Sequence, residues 1–522
     1  MRFVLSKTAV LLHLLLLVVF LASGYGRPSA LGTYLPLVWL MLAAFEVLLL
    51  FPTALKGEQT DGSRERVRRK LLRDPMLYLG VAGILYFACQ ALNGPCSLAF
   101  NSATITWQLR PPPLPGLPSC FDRREAFQGF FWFMPAWTAI LAVRHGLSRH
   151  GKARLLLAAV AVSAVLAVIG LLQYGMRPPP RLWGVPATPH QFGTFDYTGF
   201  AGAYFGMMFF VAGGLLIASM TTHASILRCR LLFAATLVNL IAATFTLNYG
   251  AMLFVWCGGL LGFIYACLYV FHYLTVAERL RSFVVVVVTL GALAFLHFVA
   301  YPENAVHART KALVSGEAMS DVVRGERQVL GRAALSIFKA HPVYGAGTWG
   351  YRHEMGRFLD DEDWSRIAPA NQQPITCFND LLQFLCELGL FGVGLLLLAS
   401  ALLLTPVVRR LYVLLCMTTA QSAQIEATRI KRVSPVAVSC LFAVCGVWVV
   451  SWFDMPFRNP LVLLTWCLLL AILPGLLPIP KIQDTALPVR ATRSQAGKRS
   501  PRRRVLAFRK RHGHHHPDSH GE

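Results

Sequence analysis

This sequence predicts a polytopic helical membrane protein, all α, with about twelve transmembrane helices and one long, partly helical outer loop. Three observations predict it. Of 522 residues, 55% are hydrophobic and only 14% are charged, against about 25% charged residues in soluble domains. The mean hydropathy is +0.53. Stretches 11–21, 155–172 and 284–296 are apolar almost without interruption, and a bilayer-spanning helix needs about 20 such residues. A string of soluble globular domains is excluded.

Twelve candidate spans follow in order, at 4–23, 33–52, 76–92, 127–143, 155–172, 199–219, 229–246, 250–271, 281–300, 383–407, 435–454 and 460–478. The net charge of +24 gathers in short blocks between spans and in the last residues instead of on one folded face. It reads as a topology signal and not as a nucleic-acid surface. With the amino terminus in the cytoplasm, the run Arg64, Arg66, Arg68, Arg69, Lys70 and the tail beyond Lys481 both fall inside. The outer basic residues then concentrate in loop 301–382, whose length lets it cross largely regardless of charge. Both termini are expected in the cytoplasm. The first span also fits a signal peptide, with Arg2 and Lys7 before the apolar run, and its removal leaves every later span in the same orientation.

Three regions emerge. Residues 1–154 hold the first four spans and a Pro-rich outer loop, 93–126. Residues 155–479 hold the remaining spans and loop 301–382. Residues 480–522 form a basic tail expected to be disordered and attracted to anionic membrane lipid. His512, His514, His515 and His516 in that tail lack the second shell of a metal site, so neither a metal nor another cofactor is expected. Most cysteines lie within spans as small apolar residues. Cys96 and Cys120 share loop 93–126, where a disulfide is possible in an oxidising compartment.

Polar residues gather in segments 173–198, 247–249 and 301–382. An unbroken loop of about 80 residues is too long for a passive connector. Ser320 caps a predicted helix running to Ala340, with Val323, Leu330, Ala334 and Ile337 on one apolar face. Arg327 flanks that face, Arg324 lies one turn before it, and Arg332 points away. An Arg against an apolar surface requires an anionic partner. An internal salt bridge to Glu303, Glu326 or the cluster Asp360, Asp361, Glu362 and Asp363 is the simpler account; a bound anion is the other.

Gly345-Ala346-Gly347-Thr348-Trp349-Gly350 fits G-x-G-x-x-G, but it follows a helix end and opens no helix. It predicts a tight reversal returning the chain to the bilayer. Beyond it, Asn379, Asp380, Gln383 and Glu387 recur at three- and four-residue intervals, which lines them on one helix face. A carboxylate at Glu387, two turns into a span, is expensive in hydrocarbon and must face protein or a wet cavity. Asn379 or Asp380 also serves as a helix cap.

These residues resemble the O-antigen ligase and polymerase superfamily of bacterial envelope enzymes. The family's Asn, followed after nine residues by Gly and then by a second Gly, is similar to Asn379, Gly389 and Gly392. Its Arg-bearing helix leading to Pro and Gly-x-Gly is matched by Arg327 through Ala340, Pro342, Gly345 and Gly347. Gly193-Thr194-Phe195 before a span resembles a third motif. The resemblance covers roughly 155–475. It departs twice: the family's catalytic His falls on Phe378, and its Ser-Arg turn reads Asn248-Tyr249 before Gly250-Ala251.

The resemblance implies a glycan donor on undecaprenyl pyrophosphate, a sugar or lipid acceptor, no cofactor, and an active face on the periplasmic side of the bacterial inner membrane. Arginines bind the pyrophosphate as it leaves while a base takes the acceptor proton. On this reading Arg327, Arg324 and Arg181 bind pyrophosphate, and Asn379 and Asp380 orient or activate the acceptor. Glu387 belongs to the site or to its support. His190, His341 and His353 are alternative replacements for the missing His. A ligase, a polymerase and a protein glycosyltransferase share this resemblance equally. The alternatives from other classes are a transporter, which twelve spans also suit and for which Glu46 in the second span is the main pointer, and a scaffold that has lost catalysis at Phe378.

Overall fold

The computed structural model describes residues 37–45, 60–94, 98–101, 106–109, 112–176, 191–222, 224–273, 305–315, 321–367, 376–416 and 434–476, with isolated positions between 276 and 291. The chain divides after Pro478, and the basic tail lies outside the described residues. Twelve helices carry the description: α1 Thr60–Leu72, α2 Pro75–Leu92, α3 Arg123–Leu141, α4 Arg149–Gly175, α5 Thr198–Thr221, α6 Ile226–Phe245, α7 Tyr249–Tyr273, α8 Ala305–Ser315, α9 Asp321–Ala340, α10 Asp380–Cys416, α11 Pro435–Ser451 and α12 Pro460–Leu476.

The chain is membrane-embedded and helical. Among the described residues, seven helices are long and apolar enough to cross a bilayer, and α11 and α12 are apolar but shorter. Seventeen residues each give these two a length of about 25 Å at 1.5 Å per residue. Proline sets those limits: Pro435 and Pro460 open the helices, where a missing N–H costs nothing. Of the other predicted spans, 4–23 lies outside the described residues, as does most of 281–300, and 33–52 is described only as a helix over 37–45. The helical class stands, with one short addition. Within 93–126 an antiparallel hairpin pairs β1, Leu98–Asn101, with β2, Thr106–Leu109, in the register Leu98 to Leu109. Phe, Thr, Trp and Leu suit a pleated strand better than a helix.

Helix α5 is the centre of the bundle. Of its apolar window, 78% is buried, and it packs against α6, α7 and α11. Its Gly- and Ala-rich sequence allows this close approach; a Cβ at Gly202 would sit 2.4 Å from that of Ala251 on α7. At one end of the bundle lie the starts of α5, α7, α10 and α12 and the ends of α4, α6 and α11. This is the site end of the bundle.

The most unusual backbone lies in α10. Gly389 adopts φ 63° and ψ −172°, breaking the helix two and a half turns from its start. The break releases backbone groups, and the reversal after α9 takes them up. Ala346 and Gly347 amides donate to the carbonyls of Cys386 (2.8 Å) and Glu387 (3.0 Å). In return, Leu390 and Phe391 amides donate to Pro342 (2.9 Å) and Val343 (3.0 Å). Gly345, at φ 72°, is the other half of the joint: a Cβ there would sit 2.3 Å from the Glu387 carbonyl, and one on Gly389 would sit 2.5 Å from the Gly345 nitrogen. The predicted reversal is thus a backbone clasp. On α9, Val329, Leu330, Ala333, Ala334 and Ile337 are buried with Tyr351, Cys377 and Cys386 in a second core above it.

At the far end, Asp74 caps α2 through the Met76 amide (3.1 Å) and pairs with Arg144 (2.7 Å) and His145 (2.6 Å) in the π turn that ends α3. Burial raises its carboxyl, but the His145 hydrogen bond, the Met76 amide and Arg144 together hold it below its usual value. Asp74 therefore stabilises the fold when ionised, fully above an unfolded pKa of about 3.9 and decreasingly as pH falls through the lower folded value.

Two predictions follow from these contacts. The difference in thermal midpoint between wild type and Asp74→Asn, measured in detergent micelles, is expected to shrink as pH falls below about 4. A difference that keeps growing below that pH would refute the assignment. Gly389→Ala is expected to lower stability by about 1–3 kcal/mol or more, since it adds strain at positive φ to a backbone clash; Gly394→Ala, whose Cβ meets nothing within 4 Å, is the control and should be neutral.

Candidate functional site

Four turns and two loop helices converge at the site end. The turn between α11 and α12, Trp452–Asn459, contributes the central acid. Asp454 is 1% exposed. Its Oδ2 accepts from Asn248 Nδ2 (2.5 Å) and the Tyr197 hydroxyl (3.1 Å), and its Oδ1 accepts from the Met455 amide (2.9 Å). Burial pushes its carboxyl above the usual range, against the Met455 amide, Asn248, Arg327 and Tyr197, which favour the anion. Tyr197 is raised in turn by burial and by the Asp454 charge.

Two guanidiniums reach the turns that carry Asp454 and its partner Asn248. Arg327 on α9 donates from Nη1 to the Phe453 carbonyl (2.5 Å) and lies 5.3 Å from the centre of the Phe378 ring. Arg309 on α8 donates from Nε to the Leu247 carbonyl (3.1 Å) and stacks 3.4 Å over the Tyr249 ring. Burial lowers the Arg309 pKa, Tyr249 opposes that, and repulsion from Arg327 lowers it further. The two cations thus flank the Asn248–Asp454 contact, Arg309 at the Leu247 carbonyl and Arg327 at the Phe453 carbonyl. Both are half-buried, and among the described residues neither makes an ion pair with a carboxylate.

The salt bridge that the helix alone suggested for Arg327 is formed by Arg332 instead, to Asp363 (2.8 Å). Arg327 faces the bundle because it lies on the flank of the buried stripe, whereas Arg332 is exposed. Arg324 lies on α9, but its side chain is outside the description; Arg181, His190 and Glu303 lie outside the described residues.

The start of α10 divides into a rim and a support. Asn379 is at the rim, where its Oδ1 caps the Leu382 amide (3.0 Å) and its Nδ2 donates to the Trp452 carbonyl (3.3 Å). Asp380 is beneath it, fully buried, with Oδ2 accepting from the Phe457 amide (2.9 Å). Glu387 lies deeper, its Oε1 accepting from Gln383 (3.0 Å) and its Oε2 from Arg458 (2.5 Å). Arg458 is buried, 4.4 Å over the Trp349 ring. Burial favours its neutral form, but Glu387 and Asp380 outweigh that and raise its pKa. Asp380 and Glu387 thus anchor the α11–α12 turn, and Asp380 has no surface from which to meet an acceptor.

Of the proposed stand-ins for the missing His, His353 and His341 lie among the described residues. His353 stacks on Phe121 at 3.9 Å and contacts the buried Glu125 (3.0 Å), which also pairs with Arg352. Burial and Arg352 lower its pKa. His341 is exposed where α9 ends. Of the two cysteines considered for a disulfide, Cys120 is buried with Sγ 3.1 Å from the Gln90 carbonyl, and Cys96 lies outside the described residues. Among the described residues there is no group of three metal-ligating side chains.

Three residues around the site hold the left-handed conformation without being glycine: Leu247 (φ 56°), Trp349 (φ 59°) and Phe378 (φ 53°). Such strain costs about 1–3 kcal/mol each. Leu247 presents its carbonyl to Arg309, and Phe378 brings its ring under Arg327.

Tyr197, Arg309, Asp454 and Arg458 were not singled out by the sequence. Asp454 and Arg458 had a usable signal, two charges within a short turn between apolar spans, where an unpaired charge is expensive. Arg309 had none, because only the folded loop brings it to Leu247. No protein-family model and no curated protein sequence matches this chain.

Removing one partner of a buried ion pair leaves the other charge uncompensated, at about 3–5 kcal/mol. Arg458→Met is therefore expected to unfold the protein readily in a denaturant titration, and the double variant Arg458→Met/Glu387→Met to recover most of that loss. A double variant no better than the single one would show that the pair is not the unit of stability.

Proposed function

We propose that this chain is a membrane glycosyltransferase of the O-antigen ligase and polymerase type. It moves a glycan from an undecaprenyl-pyrophosphate carrier to a sugar or lipid acceptor at the periplasmic face of the inner membrane, with the site end on that face. The observation that carries the reading is the convergence of Arg309 and Arg327, two half-buried cations without a carboxylate partner among the described residues, beside a buried acid.

Two guanidiniums suit a pyrophosphate because charge-assisted hydrogen bonds strengthen as charge develops on the leaving oxygens. Arg309 stands in for the Arg that the Asn248-Tyr249 turn lacks: it reaches that same turn from α8 and is held there by Leu247 and Tyr249. The acceptor hydroxyl attacks the anomeric carbon, the carbon–oxygen bond to pyrophosphate breaks, and the hydroxyl proton must go to a base. Phe378 cannot take it. Tyr197 can pass it on, receiving the proton from the acceptor while giving its own to Asp454 Oδ2, 3.1 Å away. The raised pKa of Asp454 suits a group that must hold a proton. Asn379 orients the acceptor at the rim.

A second reading, a scaffold without catalysis, is favoured by Phe378 alone. Polysaccharide gels of the native host separate the two. Deletion should remove long glycan from its acceptor. Arg327→Ala and Arg309→Ala should fail to restore it although present in the membrane, with losses of at least about a hundredfold by analogy with an oxyanion donor. Restoration by both variants would remove the pyrophosphate role, and an unchanged glycan profile on deletion would remove the enzyme reading in that host.

A further inference from the structure

The far end of the bundle carries a second feature, unconnected with the proposed transfer. Helices α2 and α10 are held together at the clasp, where the Tyr86 hydroxyl lies 2.9 Å from the Tyr344 carbonyl and 3.0 Å from that of Leu388. Towards the far end a groove of about 420 Å³ opens between them, lined by Arg73, Tyr78, Leu79, Ala82, Leu398 and Leu402. Its wall is apolar on both helices. Tyr78 is 60% and Leu398 51% exposed, and both belong to helices apolar enough to cross the bilayer. The groove therefore opens sideways into hydrocarbon, and a hydrocarbon chain suits it.

Its one charged side chain is Arg73, immediately before the membrane-spanning part of α2 and thus at headgroup depth. The surrounding charge is predominantly basic. Helix α1, which leads into Arg73, presents Arg68 and Lys70 to solvent, and neither they nor Arg73 has an acidic partner among the described residues. Of the nearby acids, Glu65 is committed to Arg69 (2.9 Å) and Asp74 to Arg144 and His145. The Tyr78 hydroxyl, bonded to the Leu72 carbonyl at 2.8 Å, fastens the end of α1 to the groove mouth. Arg409 ends the apolar stretch of α10 at the same end of the bundle.

We infer that this groove is a binding site for one anionic phospholipid, with its phosphate at Arg73 and an acyl chain between α2 and α10. The sign of the surrounding charge selects an anionic over a zwitterionic headgroup, since each nearby basic residue adds attraction that a net-neutral headgroup does not return. The apolar walls select a lipid over a soluble phosphate.

The test is native mass spectrometry of the detergent-purified full chain, titrated with phosphatidylglycerol, phosphatidylcholine or inorganic phosphate. Wild type is expected to retain one phosphatidylglycerol in preference to phosphatidylcholine and to retain no phosphate. Arg73→Gln should cut the preference by about fivefold, the worth of one basic residue near a headgroup. Ala82→Trp, which fills the groove, should weaken retention of both lipids. Arg73 is exposed, so its variant reports even where Ala82→Trp fails to fold. Equal retention of the two lipids by wild type, an unchanged preference in Arg73→Gln, or capture of free phosphate would each overturn the site.

Discussion

The clasp between Gly345 and Gly389 is the constraint on which the rest of the site depends. A helix broken inside a membrane protein leaves amides and carbonyls that hydrocarbon cannot satisfy, so irregular backbone persists there only where other protein groups take its place. Here four backbone hydrogen bonds are exchanged between the break in α10 and the reversal after α9. Because the exchange is reciprocal, it fixes the separation, register and direction of both segments at once. It requires glycine on both sides, since the two backbones approach more closely than any Cβ allows. The Tyr86 hydroxyl and its Gln90 and Thr348 neighbours extend the same contact to α2.

From that joint the positions of the polar side chains follow. Helix α9 leaves the clasp with its apolar stripe on the second core, which turns Arg327 towards the bundle and Arg332 towards Asp363. The first turns of α10 carry Asn379 to the rim and send Asp380 and Glu387 inward. There they meet the Phe457 amide and Arg458, and so hold the α11–α12 turn. That turn then presents three consecutive groups to its surroundings: the Trp452 carbonyl to Asn379, the Phe453 carbonyl to Arg327 and the Asp454 carboxylate to Tyr197 and Asn248.

The parts legible in the sequence were those that depend on composition and local spacing. The long spans, the helix ending at Ala340 and the reversal at Gly345 and Gly347 could be read, because hydropathy and glycine act over a few residues. The inward face of Asn379, Asp380, Gln383 and Glu387 was legible as a face, but its division into rim and support was not. Arg458, the partner that settles it, lies 71 residues from Glu387. Arg309 shows the same limit more sharply. Its partners are a carbonyl and a ring at a turn 62 residues away, and nothing about a lone Arg in a polar loop marks it for that place. The β1–β2 hairpin was obscured for a different reason, being short and flanked by prolines within a segment read as loop.

The charges at the site end sort themselves by what they hold. Arg458, Glu387 and Asp380 are buried in mutual contact or close range, and the bonds they make are to the turn and to one another. Such a network is expensive to bury and is accounted for by what it positions. Asp454, Arg327 and Arg309 are different. The acid is satisfied by neutral donors from Tyr197, Asn248 and the Met455 amide, and the two cations are satisfied by carbonyls and aromatic faces. Neutral partners steady a charged side chain without cancelling its field. A fold that needed these arginines only for cohesion would gain more by pairing them directly with Asp454. Repulsion from Arg327 adds to the burial that lowers the Arg309 pKa, and an anion bound at this rim would offset it, which is the physical argument behind the proposed pyrophosphate role.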